Sequence, residues 1–532
     1  MAKVVVIGLD GATLDLIKPW ALAGKLPTFK RLIDEGIHGP LKSTIPPYTI
    51  PAWPSMLTGK NPGKLGVSGI WRAGEDYEAK LSPLSWGRWT PIWELLNKGG
   101  KRVCMVNVPT TIAPDGDFDG AFITGPQSQG GELIRLAYPL KLEKYLRETK
   151  YRVYAPSVEA LGEDAFLQYV STLSQLKMDT ALRLFKNDWD FFMFGLFYLD
   201  PIQHFFWKYM DETHPLYEHH DVYSNAIFDY YFMIDRFLDR FLSDHANLFV
   251  VSDHGFGKLL KFFNLNLWLK EEGFLALKPE AEKEFSKDLN TMMTINGREY
   301  YARLRLKITN REVDWLRTKA FSPDWAVIRV NLKGRERMGA VQPGREYDEL
   351  ISRIKKMLLE VVDPDTGERV VENVWRREEL YNGEYVSELP DLFIQYRGES
   401  WYYNSSIEIG YLPTPSILCD KLEYIYEKNK LTALHKRDGV FIAYGPDIDK
   451  GEIGHAEITD IAPTLLHMLD LPIPEDMDGR VLKEIFKENS SPAARDVAYQ
   501  KPREPDAIPD EGGLSEEEIE EVKRRLKALG YL

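Results

Sequence analysis

With 532 residues, 44% of them hydrophobic, the chain has the material for a large core and an accessory region. Its formal net charge of -14 excludes nucleic-acid polymers as the main partner, since no basic face is there to neutralise a phosphate backbone. A small phosphorylated substrate stays open, because bound metal ions reverse the local sign of a site.

Residues Lys3 to Leu9 read as a buried strand that ends abruptly at Asp10-Gly11. Leu16 to Gly36 is expected to be helical, with a break around Gly24-Lys25-Leu26-Pro27. Next comes Thr44-Ile45-Pro46-Pro47-Tyr48-Thr49-Ile50-Pro51-Ala52-Trp53-Pro54-Ser55-Met56-Leu57-Thr58-Gly59. Pro46 and Pro47 hold the approach extended, Pro51 is tolerated in a first helical turn, and Gly59 suits a helix stop. Thr49 then lies at a helix N-terminus, where backbone N–H groups and the helix dipole favour an anion. A hydroxyl there serves as a cap or as a nucleophile facing a bound phosphate, and both readings stand at this point.

Farther along, Arg102 to Val108 reads as a second buried strand and Glu163 to Lys186 as a long amphipathic helix. Trp189 to Leu199 is an interior strand that ends at Asp200, and a long helix is expected over Tyr217 to Asp244. Asn247 to Ser252 is another strand, ending at Asp253-His254-Gly255. Strands alternating with helices predict an α/β fold whose mostly parallel sheet is covered on both faces.

After Gly257 the pattern becomes charged, helix-rich and less regular, which reads as an insertion or cap over residues 259–384. The division expected is therefore core at 1–258, insertion at 259–384, core again at 385–488, and a linker with a C-terminal helix at 489–532. Pro390 to Tyr396 and Gly439 to Tyr444 restore strand character, and Thr459 to Leu469 makes a further helix. In the tail, Ser515 and Glu518 form a capping box and Gly530 ends a helix expected to dock on the core. Cys104 and Cys419, far apart, read as reduced thiols. The abundance of Lys and Glu points to a thermophilic source. The first apolar run is too short for a signal peptide and no stretch is long enough to span a membrane, so no membrane partner and a cytoplasmic location are expected.

Three aspartates, Asp10, Asp200 and Asp253, each follow an apolar strand, and the carboxyl ends of strands are where open α/β sheets bind ligands. His204 stands four residues after Asp200, and His254 directly follows Asp253. Carboxylate and imidazole together suit a zinc-like divalent ion. A single such Asp would be an ordinary turn former or cap; three, two with histidine attached, favour a metal site.

At this point the sequence resembles the alkaline phosphatase superfamily, in particular its type I phosphodiesterase/nucleotide pyrophosphatase branch. Five motifs in order carry the resemblance: Gly8-Leu9-Asp10-Gly11, the Thr49-Ile50-Pro51 stretch to Gly59, Asp200 with His204, Asp253-His254-Gly255, and His435 before Gly439 to Pro446. The resemblance implies an alkaline-phosphatase-like three-layer α/β/α core and two divalent metal ions, zinc by the histidine content and manganese as the alternative. Asp200, His204 and His435 would hold one ion; Asp10, Asp253, His254 and the Thr49 hydroxyl would hold the other. It also implies Thr49 as the nucleophile of a phosphodiesterase or nucleotide pyrophosphatase, through a covalent phospho- or nucleotidyl-enzyme, acting on a small phosphorylated substrate.

Two positions depart from the branch. Its Gly-Asn pair after the nucleophile helix is here Gly69-Ile70, which leaves phosphoryl-oxygen binding to Asn61, Arg72 or a backbone N–H. Leu65 replaces the usual histidine in Asn61-Pro62-Gly63-Lys64-Leu65-Gly66. A sulfatase is disfavoured by the lack of a Cys- or Ser-x-Pro-x-Arg sequence, and a cofactor-independent phosphomutase by the lack of its serine motif. A phosphomonoesterase, a phosphoryl-group transferase and a non-catalytic metal-stabilised binding protein are the alternatives.

Overall fold

In the computed structural model, residues 3–502 are described apart from 75–76, 83–88, 128–134, 244, 288–291, 296–297, 302–310, 400, 404–417 and 420–430. The C-terminal helix expected from Ser515 to Gly530 lies outside the described residues.

The centre is a ten-stranded sheet. Three neighbouring strands position the site: β1 (Val4–Leu9), β2 (Phe191–Leu196) and β3 (Asn247–Val251), with β1 paired in parallel to both others. All three are buried throughout, and apolar but for Asn247, because both faces are covered. Val5, Ile7 and Leu9 enter one core cluster with helices Leu14–Leu22, Pro27–Glu35 and Glu163–Phe185. Val4 and Val6 enter the other, against Thr49–Thr58 and Ile461–Met468. This alternation makes three layers, with the period-2 geometry of a strand feeding two cores. Val103–Val106 and Gly120–Ile123 extend the parallel array beyond β2, whereas Asp438–Tyr444 runs antiparallel between β3 and Ile37–Lys42.

The register closes with Leu9↔Leu196 on one side of β1 and Gly8↔Val251 on the other, so the three strands end level and Asp10, Asp200 and Asp253 emerge on one rim. The break between the first two helices falls where Gly24 and Pro27 predict it. The helix expected from Tyr217 begins later, as a 3-10 turn at Tyr223–Asn225 followed by Ala226–Leu238; His214 and His220 instead cap loop N–H groups ahead of it. Cys104 is a buried free thiol in its strand.

The region after Gly257 is not only helical. It carries a four-stranded antiparallel sheet over Ala320–Phe321, Val327–Val330, Val371–Arg376 and Leu392–Tyr396, backed by the helix Arg345–Leu359. Leu392–Tyr396, expected as the return of the core, pairs with Val327–Ile328 and Val371–Arg376 rather than with the central sheet. Its apolar residues Leu392 and Ile394 belong to a core cluster separate from the two that flank β1.

Candidate active site

The helix α1 (Thr49–Thr58) starts as the proline pattern predicts, with Tyr48 extended just before it and Gly59 ending it in the left-handed conformation. Thr49 occupies the first helical position and is fully buried. One turn on, Trp53 packs so closely on β1 that a Cβ at Gly8 would lie 2.4 Å from its ring, which is why that strand position needs glycine. The second helix, α2 (Leu199–Met210), opens directly from the end of β2. Asp200 in its first turn and His204 four residues on share one face. A short antiparallel pair, Gly255–Lys258 with Ala433–Lys436, sets Phe256 opposite His435 and so carries His435 to His254 across a long stretch of sequence. The His254 and His435 rings stack with centroids 3.7 Å apart.

The structure brings seven of the nine residues singled out from the sequence together in two groups. Asp200, His204 and His435 form one triad, and Asp10, Asp253 and His254 the other, with ligand atoms within 4.8 Å of one another in each. Thr49 Oγ1 lies 3.4 Å from Asp10 Oδ1 and 3.3 Å from His254 Nε2. Within its triad His254 Nε2 is 3.3 Å from Asp253 Oδ2, and across to the other triad it is 3.9 Å from Asp200 Oδ2.

The orientation of the imidazoles says what the cluster can bind. His204 Nδ1 faces Ala433 O at 2.8 Å, His254 Nδ1 faces Gly255 O at 3.1 Å, and His435 Nδ1 faces Pro47 O at 2.9 Å. A carbonyl only accepts, so each Nδ1 carries the proton and each Nε2 presents a lone pair inward. These Nε2 atoms meet other acceptors: His204 and His435 are 3.0 Å apart at Nε2, and His435 Nε2 is 2.9 Å from Asp200 Oδ2. Both Asp200 oxygens and Asp253 Oδ2 are buried without a hydrogen bond. Lone pairs converging on lone pairs in a buried site are stable only around cations, so the donor set fits divalent metal ions, with the carbonyl-held imidazoles in the geometry of metal ligands.

Electrostatics agree. Burial raises Asp10 well above the ordinary carboxylate value, and the charges of Asp253 and Asp200 raise it further. Burial also raises Asp253, and pushes Asp200 up to about 7. It depresses the histidines, His204 to about 4 and His435 to about 3, with His254 also well below its usual value. Both sets of shifts mark groups to which the protein itself supplies no countercharge, and a pair of dications would supply it.

Two orienting residues were not legible in the sequence as part of the site. Trp53 donates its indole N–H to Asp10 Oδ2 at 3.1 Å. Gln203, between Asp200 and His204 on α2, donates to Gly11 O at 2.8 Å and accepts from Tyr231 Oη at 3.2 Å, which in turn accepts the Thr13 N–H. Gln203 thereby ties the helix of one triad to the turn that aims Asp10 of the other. The spacing of Trp53 four residues after Thr49 was the available signal; for Gln203 there was none.

The two residues expected to bind a phosphoryl oxygen are not brought into the cluster. Asn61 caps the short helix Pro62–Leu65 through Gly63 N and donates to Asp478, and Arg72 is exposed on the strand Trp71–Ala73. Ile70 is buried in the core. Asn331 and Arg335, which a substrate-binding cap could have used, serve the insertion itself: Asn331 donates to three carbonyls and Arg335 forks onto Asp391. His455 is exposed and away from both triads.

The profile of the type I phosphodiesterase / nucleotide pyrophosphatase family matches residues 4–427. Among solved structures, human ectonucleotide pyrophosphatase/phosphodiesterase 5 is similar at 14% identity, with 92% of this chain and 100% of that chain covered and a TM-score of 0.51, a likeness of fold. The murine counterpart, in an inactive form in complex with AMP, is 14% identical over 92% of this chain and 100% of its own, with a TM-score of 0.49. No curated protein sequence matches. No described helix is long and apolar enough to cross a membrane.

Proposed function

The chain belongs to the type I phosphodiesterase / nucleotide pyrophosphatase family, a family of metal-dependent phosphoester hydrolases, and within it we propose that this enzyme cleaves a small phosphodiester through Thr49 at a two-metal site. The observation that carries the reading is a pair of buried triads of imidazole and carboxylate, one of which meets a hydroxyl at a helix N-terminus through Asp10 Oδ1 and His254 Nε2.

In this reading Asp200, His204 and His435 hold one ion, and Asp10, Asp253 and His254 the other, with the Thr49 hydroxyl beside it. When bound, the ions make that hydroxyl acidic enough to attack and offset charge on the phosphoryl group and the departing oxygen. Thr49 Oγ1 loses its proton to solvent and forms a bond to phosphorus as the bond to one ester oxygen breaks; that oxygen leaves as an alcohol after taking a proton from water. Water then adds to the phosphorylated Thr49, the Oγ1–P bond breaks, and Oγ1 regains a proton, so one water is consumed per ester cleaved. The first turn of α1 directs its N–H groups and dipole toward the phosphoryl anion. Trp53 holds Asp10 by its second oxygen, leaving Oδ1 to face Thr49. The three backbone carbonyls keep each imidazole in the Nδ1–H form.

The test is hydrolysis of a chromogenic phosphodiester and its matching monoester by metal-stripped protein reloaded with Zn²⁺ or Mn²⁺. Thr49→Ala is expected to lower diester turnover on the order of 10³-fold or more while metal content and fold are retained. Full activity in that variant, with both metals bound, removes Thr49 from the role. A monoester preference assigns the enzyme to the phosphomonoesterases or phosphoryl-group transferases instead.

A further inference from the structure

We propose that the cavity walled by His435 on one side and the insertion's Trp325 and Ile394–Tyr396 on the other is the subsite for the organic group of the substrate, and that it selects an aryl or compact alkyl group over a polyhydroxylated one. This rests on the catalytic reading above and deepens it.

Access comes first. Asp10, Thr49, Asp200, His204, Asp253 and His254 are 0% exposed, and His435 alone of the seven retains exposure, 9% over the residue and 3% over its side chain. A substrate therefore reaches the cluster past His435. That residue lines an open-mouthed cavity. Pro47 and Tyr48, the residues just before Thr49, form the adjoining wall, and Leu434 continues it. An ester group on a phosphorus held at Thr49 has this cavity as its neighbour.

The chemistry of the walls decides what fits. Tyr48 meets Trp325 edge-to-face at 5.2 Å and His435 edge-to-face at 6.1 Å, so a chain of rings runs from the insertion to a candidate metal ligand. Ile45, Ile394 and Leu434 complete an apolar surface, with the polar side chains of Gln395 and Arg437 also on the lining. The Arg437 Nε is directed to the Ser43 carbonyl at 3.2 Å. A ring or short alkyl group gains contact along this surface; a sugar would lose water from hydroxyls that the apolar wall cannot replace.

The cavity is also held in place. Asp324, next to Trp325, accepts the Trp325 N–H at 2.8 Å through Oδ1 and the Trp71 N–H at 3.2 Å through Oδ2. A Cβ at Gly69 would lie 2.3 Å from that second oxygen, so the loop approaches Asp324 as closely as glycine allows. Trp325 is thus fixed to the core loop at Gly69–Trp71, and the wall exists before substrate arrives. The insertion, not the metal cluster, sets the choice of ester.

Competition against a chromogenic phosphodiester tests this, using benzylphosphonate, methylphosphonate and ribose 5-phosphate with the Zn²⁺- or Mn²⁺-loaded enzyme. Benzylphosphonate is expected to inhibit at a concentration lower by about tenfold or more than methylphosphonate, with ribose 5-phosphate the weakest. Trp325→Ala should erase most of that gap with little change for methylphosphonate; Trp325→Leu, which removes the ring that meets Tyr48 and should also narrow the gap, secures the test if the alanine variant misfolds. Equal inhibition by benzyl- and methylphosphonate, a gap that survives in folded Trp325 variants, or tightest binding of ribose 5-phosphate overturns the proposal. Loss of all ester hydrolysis and phosphonate binding in loaded wild-type protein would count against the catalytic reading itself, a separate result.

Discussion

Asp391 in the insertion and Asp200 in the core sit in buried clusters of charge built on opposite principles. In the insertion, Asp391 accepts from both ends of the Arg335 fork at 2.8 and 2.6 Å, from Tyr347 Oη at 2.7 Å and from Val330 N at 2.7 Å, with Arg377 at 3.1 Å. Burial pushes its carboxyl up, but the Arg335 fork and charge more than offset this and leave it below its ordinary value. In the core, Asp200 has no hydrogen bond at either oxygen and its carboxyl is driven up to about 7. Both aspartates are 0% exposed, so burial alone does not separate them. What separates them is whether the protein itself supplies the countercharge. A buried carboxylate completed by guanidinium and N–H groups is architecture; one surrounded by lone pairs is waiting for a ligand.

The sharpest way to break this contrast is to remove the completed cluster's centre. Asp391→Ala leaves Arg335 and Arg329 with Glu336 as their shared carboxylate and takes the second anion from the cluster, and is expected to cost about 3–5 kcal/mol of stability. Urea unfolding measures it, and metal content of the folded variant should be unchanged. A loss below about 1 kcal/mol would mean that the cluster behaves as a surface pair and that the contrast is overdrawn.

The core cluster should respond to what the insertion ignores. Metal-stripped protein given Zn²⁺ or Mn²⁺ at a hundredfold excess over Kd is expected to gain about 3 kcal/mol, read as a rise in Tm against a chelator control. Asp200→Asn should remove most of that gain, because the amide cannot supply an anionic ligand. No rise in wild-type protein would refute a metal site at the two triads.

Asp324 is the intermediate case. It is buried with N–H donors from Trp325, Trp71 and Ile70 but no cation, and burial outweighs those bonds to push it from 3.8 to about 7. Unfolded, the carboxyl returns to its ordinary value, so between pH 4 and 7 the native state holds the extra proton and stability falls as pH rises. Asp324→Asn should flatten that fall, which a folded value of about 7 sets at about 1.4 kcal/mol per pH unit between pH 4.5 and 7, measured by urea unfolding across the range. Superimposable pH curves for the two proteins would show that N–H donors alone complete a buried carboxylate, and would erase the distinction from Asp391.

The core fold was readable because its signals are local. Apolar runs such as Val4 to Leu9 and Phe191 to Leu196 cannot be surface strands, and the aspartates that follow them mark where each run ends. Thr49 was readable because prolines and Gly59 bracket its helix. Asn61 and Arg72 were proposed from proximity in sequence to an absent asparagine; the structure uses Asn61 as a helix cap and leaves Arg72 at the surface. Leu392–Tyr396 has the same apolar alternation whichever sheet receives it, so its pattern could not say which one did.

Local sequence thus specifies the chemical groups and the elements that carry them: strands that stop at aspartates, a helix that starts at a threonine, histidines at close spacing. These follow from short-range sterics and burial, which a few neighbouring residues specify. How those groups face one another is a matter of long-range packing. The parallel register of β1 with β2 and β3 puts three carboxylates on one rim, the pairing of Phe256 with His435 delivers the third imidazole, and carbonyls of Ala433, Gly255 and Pro47 turn every Nε2 inward. Gln203 and Trp325 gain their roles in the same way, from partners at Gly11 and Tyr48. Such contacts join segments far apart along the chain, and no local pattern encodes them; close packing of two cores and an insertion does.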